Sequence, residues 1–260
     1  MKKMKNLISA LLALCFLFCL SSCSDKDNPD TGKETTTAER ETKPTGGKPV
    51  KLADIPDTVE DRVEMLNSAL DYIDVYCYKY KKSVKCSVSD LKLGDLSKAS
   101  NAGEAFRSIF GEKDIKVDYD YKSAPESFAA NLINGEFTED DVANAEIEQK
   151  DDNLILTVKF YGESAPADNS GALYKLSGEY QSAEKVRKSL SEFNSSADSI
   201  DVSARNIVVT ATIRTFDSGL EKLTVSYDEK FSLENVKLVQ LEGSSVSAMS
   251  KTTITYSNME

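Results

Sequence analysis

The 260-residue chain has no histidine and no tryptophan. Without histidine there is no Ser-His-Asp or Cys-His nucleophilic catalysis, and no zinc or iron site built on imidazole. The lack of tryptophan counts against sugar-stacking platforms, although eleven tyrosines can stand in for part of that role. The nucleophile elbow G-x-S-x-G, the P-loop and the dinucleotide fingerprint are also missing. Positive charge is in short supply, with 32 basic against 43 acidic side chains and a net charge of −11. Such an acidic chain repels phosphate backbones and anionic headgroups, so no nucleic-acid partner is expected. Long apolar runs are scarce as well. The run from Leu7 to Leu20 is too short for a comfortable membrane span.

What is present begins with an address. Lys2, Lys3 and Lys5 precede that apolar run, and Ser21 and Ser22 lead from it into Cys23. This order of positive, apolar and small residues is that of a secretory signal peptide. Leu20-Ser21-Ser22-Cys23 resembles the lipobox of bacterial lipoproteins. The resemblance implies that residues 1–22 are a signal peptide removed on maturation, and that the Cys23 thiol carries a diacylglyceryl group. It places the chain at the cell membrane, lipid-anchored on the extracytoplasmic face. Two or more acyl chains, at roughly 0.8 kcal/mol per buried methylene, give stable anchoring where one does not. Maturation removes three lysines and leaves a net charge of −14, so contact with the membrane is expected through the lipid and not through protein charge.

Residues 23–50 follow as the lipidated cysteine and a tether rich in Thr, Lys, Glu, Gly and Pro. That composition cannot bury enough surface to offset ordering entropy, so a disordered spacer is expected. A flexible chain of this length spans on average about 30 Å. Asp25, Asp27 and Asp30 before Gly32 fail as a calcium loop, because Pro29 takes a ligand position and the closing Glu is missing. A lipobox, a Thr/Lys/Glu tether and an acidic domain together are similar to uncharacterised lipoproteins of Gram-positive anaerobes. That resemblance carries no functional residue except Cys23.

Residues 51–260 read as one extracytoplasmic α+β domain. Asp57-x-x-Glu60 has the form of a capping box. Val59, Val63, Leu66, Leu70, Ile73, Cys77 and Tyr80 recur at helical spacing, which predicts an amphipathic helix of about six turns ending near Lys81-Lys82. Tyr72, Tyr76 and Tyr80 flank its stripe as core-edge packing. Val84, Cys86 and Val88 alternate as a short strand. Cys77 and Cys86 then both point at the core, either bridged as the compartment permits or as two buried thiols. A short helix is expected over 101–110. Ile115, Val117, Tyr119 and Tyr121 alternate as a half-buried strand, and Pro125 opens another short helix. Thr138 to Asp141 caps a turn. A hairpin turns at Lys150-Asp151-Asp152-Asn153, and a helix covers 182–193. A strand meander fills the last sixty residues, with Ile207, Val209, Ala211 and Ile213 on one face. The fold expected is therefore an antiparallel sheet with one face covered by a long N-terminal helix and shorter helices.

Motifs for chemistry are thin. Ser182-x-x-Lys185 and Ser89-x-x-Lys92 match the S-x-x-K pattern of penicillin-binding enzymes, but Lys251-Thr252-Thr253 lacks the glycine of their K-T-G partner. The acidic groups Asp118/Asp120, Glu139/Asp140/Asp141 and Asp151/Asp152 fall on wet faces, helix starts and hairpin tips, where carboxylates serve solubility and capping. No catalytic, cofactor or metal residue is assigned, and no cofactor is expected. The function expected is a membrane-anchored, non-enzymatic binding or scaffold module, its partner an apolar small molecule or an envelope protein. The alternatives are a carboxylate-based hydrolase of envelope or extracellular polymers, and a protein-interaction domain using the outer sheet face or an edge strand.

Overall fold

The computed structural model describes residues 55–260, apart from 131, 132, 134, 168, 169, 177, 217, 239 and 240. The expected signal peptide 1–22, the Cys23 lipid site and the tether 24–50 lie outside the described residues. The first helix, α1 (Val59–Tyr76), starts where the Thr58 hydroxyl accepts the Asp61 backbone N–H at 3.1 Å, with Glu60 and Asp61 in its first turn. The cap thus sits one residue beyond the expected Asp57. Val63, Leu66, Leu70 and Ile73 are its buried stripe.

The helix stops at Tyr76, short of the expected Lys81-Lys82. Cys77 already has extended dihedrals, and strand β1 (Lys79–Lys92) begins two residues on. Ile73, Cys77 and Tyr80 keep the helical spacing across this break by coincidence. Tyr80 is buried because it starts the alternation Tyr80, Lys82, Val84, Cys86, Val88. β-branched and aromatic residues favour strand here, and the N–H groups of Tyr78 and Lys79 bond to the Glu260 carbonyl at 2.6 and 3.2 Å.

The remaining elements are α2 (Ala102–Ile109), β2 (Lys113–Asp120), α3 (Pro125–Ala130), β3 (Val142–Lys150), β4 (Asn153–Phe160), α4 (Ala172–Leu176), α5 (Ala183–Glu192), β5 (Ser195–Ser196), β6 (Ser199–Arg214), β7 (Leu220–Leu238) and β8 (Leu241–Ser257). They build one antiparallel sheet in the order β2-β1-β8-β7-β6-β4-β3, with β5 pairing β7. At the turn expected ahead of β3, Thr138 and Asp141 form a capping box.

Register gives each row across the sheet a single character, because neighbouring strands present directly opposed residues to the same face. One inner row runs Val84, Ile254, Val225, Val209, Val158, Ala145. The next row, on the opposite face, runs Ser83, Thr255, Thr224, Thr210, Thr157.

The inner face holds two apolar clusters. The first joins Leu66, Leu70 and Ile73 of α1 and Leu173 and Leu176 of α4 to the row above. The second joins Phe106, Ile109 and Phe110 of the α2 region and Val186 and Leu190 of α5 to Val202, Phe231, Leu233 and Val246. Phe110 stacks on Phe231 with ring centroids 4.5 Å apart. Among the described residues no helix is long and apolar enough to cross a membrane.

Gly111, with φ +84°, turns the chain out of α2, and a Cβ there would meet the Gln181 Nε2 at 2.7 Å. Gly103, inside α2, has nothing within 4 Å of its Cβ position. Gly111→Ala is therefore expected to destabilise by about 1 kcal/mol or more, from strain and overpacking. Gly103→Ala is expected to be neutral or stabilising by up to about 0.5 kcal/mol. Urea denaturation of the two variants measures the contrast.

Candidate functional site

Between the two apolar clusters the inner face turns polar. β7 alternates Leu223, Val225, Tyr227, Glu229, Phe231, Leu233 inward, so Glu229 stands among apolar neighbours with 1% of its surface exposed. Its row is Val88, Ser250, Glu229, Ala204, and the adjoining row is Lys113, Cys86, Thr252, Tyr227. A polar stripe from β2 to β7 thus separates the clusters. The segment following α4 crosses it as a strap. The Gln181 N–H donates to the Glu229 Oε1 at 2.6 Å, and the Ser250 hydroxyl to its Oε2 at 3.0 Å. Two residues earlier, Glu179 bridges the ammonium groups of Lys82, at 3.1 Å, and Lys113, at 2.6 Å.

The electrostatics follow from burial. Burial pushes the Glu229 carboxyl up to about 7, against the lowering effects of the Gln181 N–H, the Ser250 hydroxyl, and the Lys185 and Lys113 charges. Burial also raises Glu179, but the two ammonium groups outweigh it and hold that carboxyl below its ordinary range. The Cys86 thiol is raised, first by burial and further by Glu229, with Thr252, Ser250 and Lys113 opposing. A buried neutral thiol is a poor nucleophile. A carboxyl near 7 has the affinity of a general acid or base, but Glu229 is sealed from solvent in this conformation. The stripe is therefore a structural lock between sheet and strap.

Strand alternation carried the signal for Glu229: it fills the inward position between Tyr227 and Phe231 that the apolar pattern leaves open. The residues singled out in the sequence have other fates. Cys77 and Cys86 are both buried and are not joined by a disulfide. Cys86 lies seven strand residues beyond Lys79, roughly 23 Å along β1. The two residues from Cys77 to Lys79 cannot fold back over that distance to the Cα separation of about 7 Å that a disulfide allows. Ser182 caps α5 by accepting the Lys185 N–H at 3.1 Å, and the Lys185 ammonium donates to the Tyr180 carbonyl at 3.1 Å over the Tyr180 ring. That serine and lysine are placed for capping, not for acyl transfer.

The acidic groups do not converge on one cleft. Asp118 and Asp120 pair with Lys81 and Lys79 on the outer face, at 3.3 and 3.9 Å. Asp141 is 3.5 Å from Lys175. Asp151, with φ +55°, and Asp152 form the β3–β4 turn, where the Asp152 carbonyl accepts from Thr215. Among the described residues no group of three or more Cys, Asp or Glu is placed to hold a metal ion. A shallow cavity of about 260 Å³ at the end of the sheet is lined by Arg214, Glu221, Lys222, Ser257, Asn258 and Met259. It is polar and distant from Glu229 along the sheet.

The raised carboxyl sets a pH dependence. Native Glu229 holds its proton more tightly than the unfolded chain, whose carboxyl titrates near 4.5. Its contribution to stability is therefore full below about pH 4.5 and is lost as pH rises through about 7. Glu229→Gln keeps an acceptor for the Gln181 N–H and carries no proton to lose. The variant is expected to be more stable than the parent above pH 7, by roughly 1–3 kcal/mol, with the gap closing toward pH 4.5. Urea midpoints between pH 4.5 and 8 read this.

No protein-family model, curated protein or solved structure matches the chain, so its function is argued from these residues alone.

Proposed function

We propose that the chain is a membrane-anchored extracytoplasmic binding module that meets a polar partner with the outer face of its sheet. The observation that carries this is the contrast between the two faces. Leu156, Val158, Val209, Val225 and Ile254 occupy the positions where a curved-sheet carrier would need an internal cavity. All are fully buried against the chain's own α1 and α4. With α1 and the shorter helices packed on that side, this reading puts the partner on the outer face, and the described carboxylates, which do not converge, speak against a hydrolase.

Ser83, Thr255, Thr224, Thr210 and Thr157 stand side by side across five strands of the outer face, and among the described residues each is half-buried. At about 4.8 Å between strands, the row extends on the order of 19 Å. Each hydroxyl both donates and accepts. Thr253, Ser226 and Thr212 widen the field. Such a surface suits a hydrated, hydroxyl-rich or amide-rich partner in the cell envelope. The anchoring part of the proposal rests on Leu20-Ser21-Ser22-Cys23.

Two variants test the two parts. Cys23→Ala is expected to move the chain from the membrane fraction to the soluble fraction, and retention in the membrane would contradict the anchor. Thr210→Val with Thr224→Val removes two hydroxyls at nearly constant shape. Binding of the labelled Cys23→Ser chain to isolated envelopes of the producing cell is expected to weaken several-fold in this variant. The exposed α5 substitution Lys188→Glu is expected to leave it unchanged. Equal binding by all three would overturn the outer-face assignment.

A further inference from the structure

The sheet ends on two edge strands of opposite design. At the β3 edge, Ala145 is buried in the first cluster with α1. Glu146 and Glu148 project to the outer face, so antiparallel self-pairing centred on Glu146, Ile147 or Glu148 sets glutamate against glutamate. At the β2 edge every residue from Asp114 to Asp118 is exposed. Ile115 and Val117 lie in the inner rows beside Val84 and Lys82, yet remain 45% and 38% exposed among the described residues. Along this edge, alternate backbone N–H and C=O groups point away from β1.

The outer-face charges of β2 alternate in sign: Asp114, Lys116, Asp118. Antiparallel pairing of two identical strands about a two-fold axis normal to the sheet requires each residue to meet one of the same parity. A register centred on Lys116 would oppose lysine to lysine and Asp114 to Asp118, and one centred on Val117, although it opposes Lys116 to Asp118 twice, would set Asp114 against Asp120 twice. A register centred on Ile115 opposes Asp114 to Lys116 twice, Ile115 to Ile115, and Lys113 to Val117 twice. The outer row across the junction then reads Lys85, Asp114, Lys116, Ser83, since Lys85 and Ser83 are the β1 neighbours of Asp114 and Lys116. Every charge in it has an opposite neighbour.

We propose that β2 is a self-association edge. Two copies of the chain pair antiparallel through Asp114–Lys116, burying Ile115 and Val117 in a sheet of fourteen strands side by side whose hydroxyl faces are continuous. The inference does not depend on the anchor or on the partner of the outer face. The contact is small, so association is weak and concentration-dependent.

Sedimentation velocity of the Cys23→Ser chain between roughly 1 and 200 µM, the range expected for so small a contact, reads the equilibrium. The parent is expected to shift from monomer to dimer. Lys116→Asp is expected to lose the dimer, and Asp114→Lys combined with Lys116→Asp to restore it by reversing both ion pairs. Ile115→Cys, made in a chain whose Cys15, Cys19 and Cys23 are replaced by serine, is expected to cross-link to itself under mild oxidation, since the remaining Cys77 and Cys86 are buried. A parent that stays monomeric throughout would overturn the proposal. So would a Lys116→Asp chain that dimerises like the parent, a double variant that fails to recover, or a dimer in which Ile115→Cys does not cross-link.

Discussion

The arrangement depends on keeping one buried carboxyl satisfied. Glu229 sits in the central strand of the sheet between two apolar clusters, where an ionised and unpaired carboxylate would cost several kcal/mol. The fold answers with one hydroxyl from the neighbouring strand and one backbone N–H from the strap. Gln181 must therefore lie over the sheet at that point. The same requirement places Glu179 between Lys82 and Lys113 and Ser182 at the start of α5. One side chain in β7 thus sets where the connection crosses and where the helix of the second cluster begins. The lock is tightest when Glu229 is protonated, so its strength falls as the medium moves from acid to neutral.

Closing the inner face has a consequence for function. The helices and the strap cover the inner face, and among the described residues the outer face stays half-exposed and the β2 edge exposed. Those surfaces differ in chemistry. The outer face offers hydroxyls in register, the β3 edge repels its own kind, and the β2 edge alternates charge above an uncovered apolar strip. Pairing at β2 and binding on the outer face are compatible, because a two-fold axis normal to the sheet leaves both hydroxyl faces on the same side.

Much of this was legible where pattern and structure share a period. The stripe Val63, Leu66, Leu70, Ile73 and the turn at Asp151-Asp152 each follow from local physics, whereas the strand expected to be half-buried through Ile115 and Val117 forms but leaves both residues exposed at the sheet edge. The helix end at Tyr76 was hidden because Cys77 and Tyr80 continue the helical spacing while belonging to an extended chain. The start of β6 was hidden by a bulge. Ile200, Val202 and Ala204 point inward, the register then shifts between Arg205 and Val208 around Asn206 at φ +53°, and Ile207 resumes the inward face one position out of phase. A second shift beside Asn235, at φ +49°, likewise joins Val236 to the long strand β7. Alternation alone reads each bulge as a break. Glu229 was visible as a position but not as a partner, since its acceptors are filled by Gln181 and Ser250, respectively 48 and 21 residues away in sequence.

The claim that the strap seals the inner face through Glu229 is tested most directly by hydrogen exchange at a single amide. The Gln181 N–H, buried against the carboxyl at 2.6 Å, is expected to exchange as slowly as the amides of the central strands at pH 6, and faster relative to them at pH 8. A Gln181 amide that exchanges at the rate of an exposed loop at both pH values would contradict the account.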